Sequence, residues 1–151
     1  MTNPILRTFQ MTDADALINR DGEQTDAETI RWQATQGPAW TAEVDGQILG
    51  SAGIIIPWPG IGQAWMVLLP EIEHYGLWMY REVRRAFAQI VETQQLHRME
   101  ALAVEGIDRN HRWLEALGFT REVNGVARKF LPDQRAMVRY EWVQEERAWQ
   151  P

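Results

Sequence analysis

The sequence predicts an α+β fold in α/β/α layers, with helices flanking a mixed, mostly antiparallel twisted sheet of about seven strands. Three observations carry this prediction. Asp45-Gly46 lies between two strand-like runs and is a strong hairpin signal. The apolar run of residues 64–69 leads through a short acidic loop, residues 71–75, into a long amphipathic stretch that begins at Gly76. The apolar run of residues 99–104 follows, so the helix connects two parallel strands.

Turn and capping residues divide the first half of the chain. Thr12 and Asp15 resemble a capping pair and predict the start of a short helix. Thr25 or Asp26 caps a second helix, which Gly37-Pro38 ends. Strands are predicted over residues 5–9, 40–44, 47–56 and 63–69, helices from 12 to about 19 and from 27 to 36, and a turn over 57–60.

The long helix has apolar residues at helical spacing, and this face is predicted to pack on the sheet. Asp108 caps the last helix and Gly118 ends it. The remaining elements are a strand over 99–104, a helix over 109–117 and strands over 119–122, 126–131 and 136–143. The predicted buried stripe of the long helix consists of Leu77, Tyr80, Val83, Phe87, Ile90 and Val91.

Length and composition indicate one domain, residues 1–151, with an ordinary soluble composition. A net charge of −6 argues against binding to nucleic acid or to an anionic membrane through the overall charge of the protein. The absence of cysteine excludes disulfides, thiolate metal sites and a cysteine nucleophile. The N-terminal residues resemble no signal sequence, and no apolar run approaches the ~20 residues of a membrane span, so we expect a cytoplasmic protein.

The histidines and tryptophans leave different alternatives open. His74, His97 and His111 are far apart and lack the spacing of metal ligands, so no metal site is predicted. Eight tryptophans are many for this length. They fit a core with covered sheet edges, and the alternative is a Trp-rich surface that binds a protein partner. The oligomeric state stays open.

Two segments resemble the GCN5-related N-acetyltransferase (GNAT) superfamily. Residues 64–91 match the family's strand, pyrophosphate loop and helix. Residues 108–119, with Arg-Trp-Leu-Glu-Ala-Leu-Gly-Phe at their end, look like its closing helix. With the Asp45-Gly46 hairpin, the match covers about residues 5–143. A Trp at the start of the central strand, Trp65, makes the chain similar to a divergent phage- and prophage-type group.

The resemblance implies that acetyl-CoA lies in a V-shaped gap where the sheet is splayed between strands 4 and 5. The backbone of Val67, Leu68 and Leu69 would pair with the pantetheine arm, and the pyrophosphate would lie on the next loop. Small residues and a helix N-terminus suit such a phosphate site. The residues matching that loop are Glu73, His74, Tyr75, Gly76, Leu77 and Trp78.

Several positions depart from the family's pattern. Glu73 stands where a basic or amide side chain is usual, and Trp78 where Gly or Ala is usual. Leu114 stands where many relatives have a proton-donating Tyr, and Ile107 where an Asn often opens the segment. These departures make loss of acetyl-CoA binding an alternative to its retention.

Amine acetylation needs a base for the amine and often an acid for the leaving thiolate. Glu105, at the end of the fifth strand, is the candidate base, and its alternative reading is a solvated carboxylate. Tyr80 is the candidate acid, and its alternative reading is a packed core residue. Glu100 and Tyr140 fit an exposed sheet face and sheet packing, respectively.

The sequence therefore leaves two functions open. The first is acetyl transfer from acetyl-CoA to an unidentified primary amine, on a small molecule or a protein. The second is a catalytically degenerate, phage-derived GNAT-like fold with a binding or structural role, which contacts a protein through its tryptophans. Fold resemblance alone does not choose between them, because function depends on the site.

Overall fold

The computed structural model describes residues 3–18 and 26–144, so the predicted end of the first helix, the Thr25 cap and the tail beyond 144 lie outside the described residues. The elements in chain order are β1 Ile5–Thr8, α1 Asp13–Ala16, α2 Ala27–Thr35, β2 Ala39–Val44, β3 Gln47–Trp58, β4 Ile61–Leu68, a 3₁₀ helix Pro70–Tyr75, α3 Gly76–Thr93, β5 Arg98–Val104, α4 Asp108–Ala116, β6 Thr120–Ala127 and β7 Met137–Val143.

The strands form a seven-stranded mixed sheet in the order β1-β2-β3-β4-β5-β7-β6. Within the described chain, β4 and β5 are parallel and every other neighbouring pair is antiparallel. Asp45 and Gly46 both have positive φ, 49° and 78°, as a two-residue hairpin of type I′ requires. The predicted fold class, the hairpin and the crossover helix are confirmed.

Each face of the sheet carries its own hydrophobic cluster. On one face, α3 packs against strand residues that include Leu68, Met99 and Tyr140, and side chains of α4 border this cluster. On the other face, α1 and α2 contribute Leu17 and Ile30 to a cluster with Trp65. The sheet is therefore covered on both sides, and β4 and β5 lie in its middle.

The buried stripe of α3 differs from the predicted one. Met79, Val83, Phe87 and Ile90 are the buried residues of the helix. Leu77 is 64% exposed, so its predicted burial is wrong. The buried residues are spaced by four, four and three positions. The first turns of the helix therefore contact the sheet through Met79, one residue before the predicted Tyr80.

The first helix is shorter than predicted and Thr12 does not cap it. Thr12 has helical backbone angles and makes no side-chain capping bond. The side chain of Asp13 instead accepts from the Gln10 N–H at 2.8 Å. Asp26, in contrast, caps α2 by accepting from the Thr29 N–H at 2.7 Å, as predicted.

Three further boundaries are corrected. β3 runs on to Trp58, which pairs with Ile61 after a register shift, so the predicted turn shrinks to two residues. The predicted strands 119–122 and 126–131 are one strand, β6, with an irregular stretch between Arg121 and Val126. Asp108 lies in the first turn of α4 and does not cap it.

Candidate active site

The sheet opens between its two parallel strands. β4 and β5 pair over four positions, from Ile61 with Arg98 to Ala64 with Ala101. Beyond Ala64 the register of β4 continues only with β3, and beyond Ala101 that of β5 continues only with β7. The two strands therefore part, and a gap lies between their carboxyl ends, as the resemblance implies.

The register shows which backbone groups of β4 face this gap. The Leu69 N–H donates to the Leu49 carbonyl at 2.9 Å, which makes these two a hydrogen-bonded pair with β3. In an antiparallel ladder every second residue bonds to the same neighbour. Val67 therefore also bonds to β3, while the N–H and C=O groups of Met66 and Leu68 point toward the gap.

The same alternation describes the β5 edge. The Glu105 N–H donates to the Ala136 carbonyl at 2.9 Å, so the backbone of Glu105 bonds on the β7 side. The backbone groups of Leu102 and Val104 then face the gap. The Val104 carbonyl has a partner there, because Nε2 of His111 lies 2.9 Å from its oxygen.

His111 is fixed by both of its ring nitrogens. Its Nδ1 lies 2.8 Å from the hydroxyl of Tyr140, a residue that is only 1% exposed. A carbonyl oxygen can only accept, so Nε2 carries the proton and donates to Val104, and Nδ1 accepts from the Tyr140 hydroxyl. Burial raises the pKa of Tyr140, and the negative charge of Glu115 adds to that rise, so the hydroxyl keeps its proton.

A cavity of about 350 Å³ lies on the α1/α2 side of the gap. Its wall is mostly apolar and comes from β3, β4, β5, β7 and the segment before β7. Glu100, Glu122 and Arg139 supply charge, and Gln63 and Asn110 supply amides. The main apolar lining residues are Ile55, Trp65, Val67, Leu102, Leu131 and Met137.

Arg98 holds the carboxylates of this cavity in place. It donates to Glu100 at 3.0 Å, to Glu141 at 2.6 Å and to Glu122 at 2.6 Å. The bond to Glu141, helped by the other two carboxylates and opposed by burial, raises the pKa of the guanidinium above its usual value. Arg139 adds a longer contact of 3.5 Å to Glu122. The second oxygen of Glu100, Oε2, has no hydrogen-bond partner in the part of the chain that the structure describes.

The α3/α4 side of the gap is much narrower. The cavity there is about 40 Å³ and is lined by Phe87, Trp113 and Leu114. Asn110 lines the cavities on both sides, so its side chain lies where they approach each other. Leu114, which matches the family's proton-donating Tyr, does line the gap, but it has no proton to give.

The predicted pyrophosphate loop, residues 73–78, consists of the end of the 3₁₀ helix and the first residues of α3. The internal bonds of the 3₁₀ helix begin with the Ile72 N–H, which donates to the Leu69 carbonyl at 3.0 Å. α3 follows without a break, and its N-cap residue, Tyr75, makes no side-chain capping bond. A Cβ built on Gly76 would meet no atom within 4 Å, so the surface over this residue is open.

The other predicted loop residues divide between surface and core. Glu73 and His74 are exposed, and so is Leu77. Trp78 is half-buried and packs against the hydrophobic cluster under α3. The indole therefore does not occupy the space over Gly76.

The two predicted catalytic residues are not among the residues that line the described cavities. Glu105 is exposed in the turn after β5. Tyr80 is half-buried on α3, and its hydroxyl accepts from Arg84 at 3.4 Å. The structure brings Glu100, Asn110 and His111 to the gap instead.

No group of three His, Cys, Asp or Glu side chains is placed to hold a metal within the described ranges. Nor does any helix of those ranges combine the length and apolar character that a membrane crossing requires. No family model matches the sequence, and no curated protein matches it. Solved structures, in contrast, match over nearly the whole chain.

Three acetyltransferases illustrate the likeness. One is a GNAT-family acetyltransferase from Streptococcus pneumoniae, with a TM-score of 0.73 and 15% identity, covering 95% of this chain and 100% of that one. A ribosomal-protein-S5-alanine acetyltransferase from Vibrio fischeri gives 0.69 and 18%, covering 100% of both. A spermidine N-acetyltransferase variant from Vibrio cholerae gives 0.70 and 13%, covering 93% and 95%. The chain therefore has the fold of the GNAT acetyltransferases.

Proposed function

We propose that this chain is a GNAT-type enzyme that transfers the acetyl group of acetyl-CoA to an amine held in the α1/α2-side cavity. The observation that carries the proposal is the parted pair β4–β5, with the backbone of Met66 and Leu68 turned toward the gap. The similar structures act on a ribosomal protein and on spermidine, so the fold itself does not choose the acceptor.

The gap suits the arm of acetyl-CoA better than the loop suits its pyrophosphate. Met66 and Leu68 offer N–H and C=O groups with which an amide-bearing arm can pair as an added strand. A backbone N–H of β4 can also polarise the thioester carbonyl. At the loop, Gly76 leaves the helix N-terminus open, but the exposed carboxylate of Glu73 repels phosphate. We therefore expect acetyl-CoA binding to be weak.

The charges of the cavity favour an acceptor with a single positive charge. Arg98, Arg139 and the three carboxylates that Arg98 binds leave one negative charge uncompensated. Glu100 has a free oxygen and lies across from Gln63, one pair before the strands part. The remaining wall combines apolar side chains with the amides of Gln33 and Asn110. We propose a primary ammonium on an apolar body, with the ammonium at Glu100.

The ammonium gives one proton to the Glu100 carboxylate, from which it passes to solvent, and the free nitrogen attacks the thioester carbonyl carbon. A C–N bond forms, and the C–S bond breaks as its electron pair leaves with sulfur. The second proton of the attacking nitrogen ends on that sulfur, so the products are an N-acetyl amine and free thiol. Glu105 stays the sequence-based alternative to Glu100 as the base, and Tyr80 stays the sequence-based prediction for the acid.

Two measurements test the proposal. Because the chain has no cysteine, a thiol reagent reports released coenzyme A without background from the protein. Thermal unfolding with and without acetyl-CoA reports binding, and a ligand at 100 times its Kd adds about 2.7 kcal/mol. We expect a shift with acetyl-CoA and thiol release with 2-phenylethylamine. No shift at millimolar acetyl-CoA would contradict the proposal.

Glu100→Gln tests the acceptor site, and Glu141→Gln is its matched control. Both substitutions remove one carboxylate from Arg98, but of the two side chains only that of Glu100 lines the cavity. We expect Glu100→Gln to lower kcat/KM for the amine about 100-fold, the usual scale for a lost proton acceptor. Glu141→Gln should stay within about threefold. Equal losses in both variants would show that only the Arg98 network matters.

Two exposed tryptophans support the second candidate function. Trp32 is 58% exposed and Trp58 is 61% exposed, and exposed tryptophan is favoured at protein interfaces. In this alternative the fold binds a protein and transfers no acetyl group. It is the function that would remain if acetyl-CoA gave neither a thermal shift nor thiol release.

A further inference from the structure

We infer that His111 is a positioning residue that wedges β4 and β5 apart and so keeps the gap open. The inference rests on the proposed function only in taking the gap as the acetyl-CoA site; the wedge itself is a statement about strand pairing. It concerns a residue of α4 to which the sequence analysis assigned no role.

The geometry follows from continuing the parallel register. If the pairing of Ala64 with Ala101 ran on, Leu68 would stand opposite Glu105. In a parallel ladder, a residue that faces its neighbour donates to the carbonyl one position before its partner. The N–H of Leu68 would therefore bond to the Val104 carbonyl. That is the carbonyl that Nε2 of His111 occupies, at 2.9 Å.

A backbone carbonyl in a protein interior needs a partner, and His111 provides one. The same carbonyl also accepts from the Ile107 N–H at 3.3 Å, so the imidazole takes its second acceptor site. The donor that the strand register would bring to that site is the Leu68 N–H. The imidazole thus occupies the acceptor that Leu68 needs if the strands are to pair at this level.

The wedge is itself firmly held. The Tyr140 hydroxyl bonds to Nδ1 at 2.8 Å, and the two rings meet edge to face with their centres 5.6 Å apart. Tyr140 is buried and pairs with Ala101, the last residue of β5 that pairs with β4. α4 has no fully buried residue of its own, so these bonds are a large part of what fixes its first turns.

Three variants separate a wedge from a general structural role. His111→Leu removes both ring nitrogens, His111→Gln keeps an N–H that can reach the carbonyl, and Tyr140→Phe removes the hydroxyl but leaves the bond to Val104. The first readout is amide hydrogen exchange of Met66 and Leu68 by NMR, without ligand. The second is the KM for acetyl-CoA.

We expect His111→Leu to slow exchange of the Leu68 amide at least tenfold as the strands close, and to raise the KM about tenfold. His111→Gln should stay near the parent protein in both. Tyr140→Phe should lower the melting temperature but leave Leu68 exchange unchanged. Unchanged Leu68 exchange in a folded His111→Leu protein overturns the inference, whether or not acetyl-CoA binds. Should all three variants slow it equally, the effect is structural and the inference fails as well.

Discussion

The two sides of the gap are built differently. The α1/α2 side has a cavity of about 350 Å³ with two carboxylates and a guanidinium in its wall. The α3/α4 side has about 40 Å³, bounded largely by two aromatic rings and a leucine. If the proposed function is right, the larger cavity holds the acceptor without rearrangement, whereas the acetyl-CoA arm needs side chains to move on the narrower side. The proposal therefore places the limit on activity at the narrower side.

The helices of the two sides are also held differently. On the α1/α2 side, the buried carboxylate of Asp13 takes two bonds of 2.9 Å from Arg7 and one of 2.7 Å from the Thr41 hydroxyl. On the other side, His111 and half-buried apolar residues hold α4. A buried ion-pair network thus ties α1 to β1 and β2, whereas α4 is held by the two bonds of His111 and by half-buried apolar packing.

Asp13→Asn should give the largest effect on stability, a loss of about 3 kcal/mol in the free energy of unfolding at neutral pH. The substitution removes the buried carboxylate that accepts two bonds from Arg7, and among the described residues the guanidinium then keeps only Glu43 as a charged partner. Asp15→Asn is the control, because Asp15 is an exposed carboxylate of the same helix, 3.3 Å from Arg31, and should change stability by under about 1 kcal/mol. Urea unfolding measures both, and similar losses would show that the Asp13 network does not brace this side.

The same pair predicts a pH dependence. Burial opposes ionisation of Asp13, but the bonds from Arg7, from the Gln10 N–H and from Thr41 outweigh it and lower the pKa of Asp13. A carboxyl with a lowered folded-state pKa stabilises the fold above its unfolded value of about 4, and this stabilisation is lost as the pH falls through the folded value. The stability difference between parent and Asp13→Asn should therefore shrink below about pH 4. A difference that stays constant into acid would contradict this assignment.

Trp113→Ala should enlarge the small cavity on the α3/α4 side of the gap. We expect acetyl-CoA to bind about fivefold more tightly, as measured by titration calorimetry, because the arm no longer has to displace the ring. Trp142→Ala is the control, since it removes a half-buried ring from the same cluster but away from the gap. Weaker binding in Trp113→Ala would mean that the indole contacts the cofactor.

Gly76→Ala should have the smallest effect. A methyl group there meets no atom, so stability should stay within a few tenths of a kcal/mol, or rise slightly because alanine favours helix. Acetyl-CoA affinity should fall about threefold if the pyrophosphate approaches this backbone. Unchanged affinity would place the pyrophosphate elsewhere.

Local signals made the fold predictable. The hairpin at Asp45-Gly46, the crossover helix and the Asp26 cap each depend on a few neighbouring residues, and all three are confirmed. The errors arose where a shift of one or two residues decides which helix positions are buried or where a strand ends. Both Leu77 and Met79 fit a helical apolar pattern, but only Met79 is buried. β6 was predicted as two strands, whereas it is one strand that an irregular stretch interrupts.

The site was less predictable for two reasons. It depends on which of two adjacent strand residues turns its backbone toward the gap, and on contacts between residues far apart in sequence. Val67 and Leu68 look alike in sequence, but the bond from Leu69 to Leu49 turns only one of them toward the gap. His111 meets Tyr140 from 29 residues away, and Arg98 gathers carboxylates from three strands. The position of Glu100 on a strand of alternating pattern was the one available signal, and it was interpreted as an exposed sheet face.

A structure of the protein with coenzyme A tests the central claim most directly. We predict that the pantetheine arm lies between β4 and β5 and that its amide groups bond to the backbone of Met66 and Leu68. We also predict that the side chain of Trp113 is displaced. Coenzyme A bound outside the gap, or β4 and β5 paired beyond Ala64 with no space between them, would contradict it.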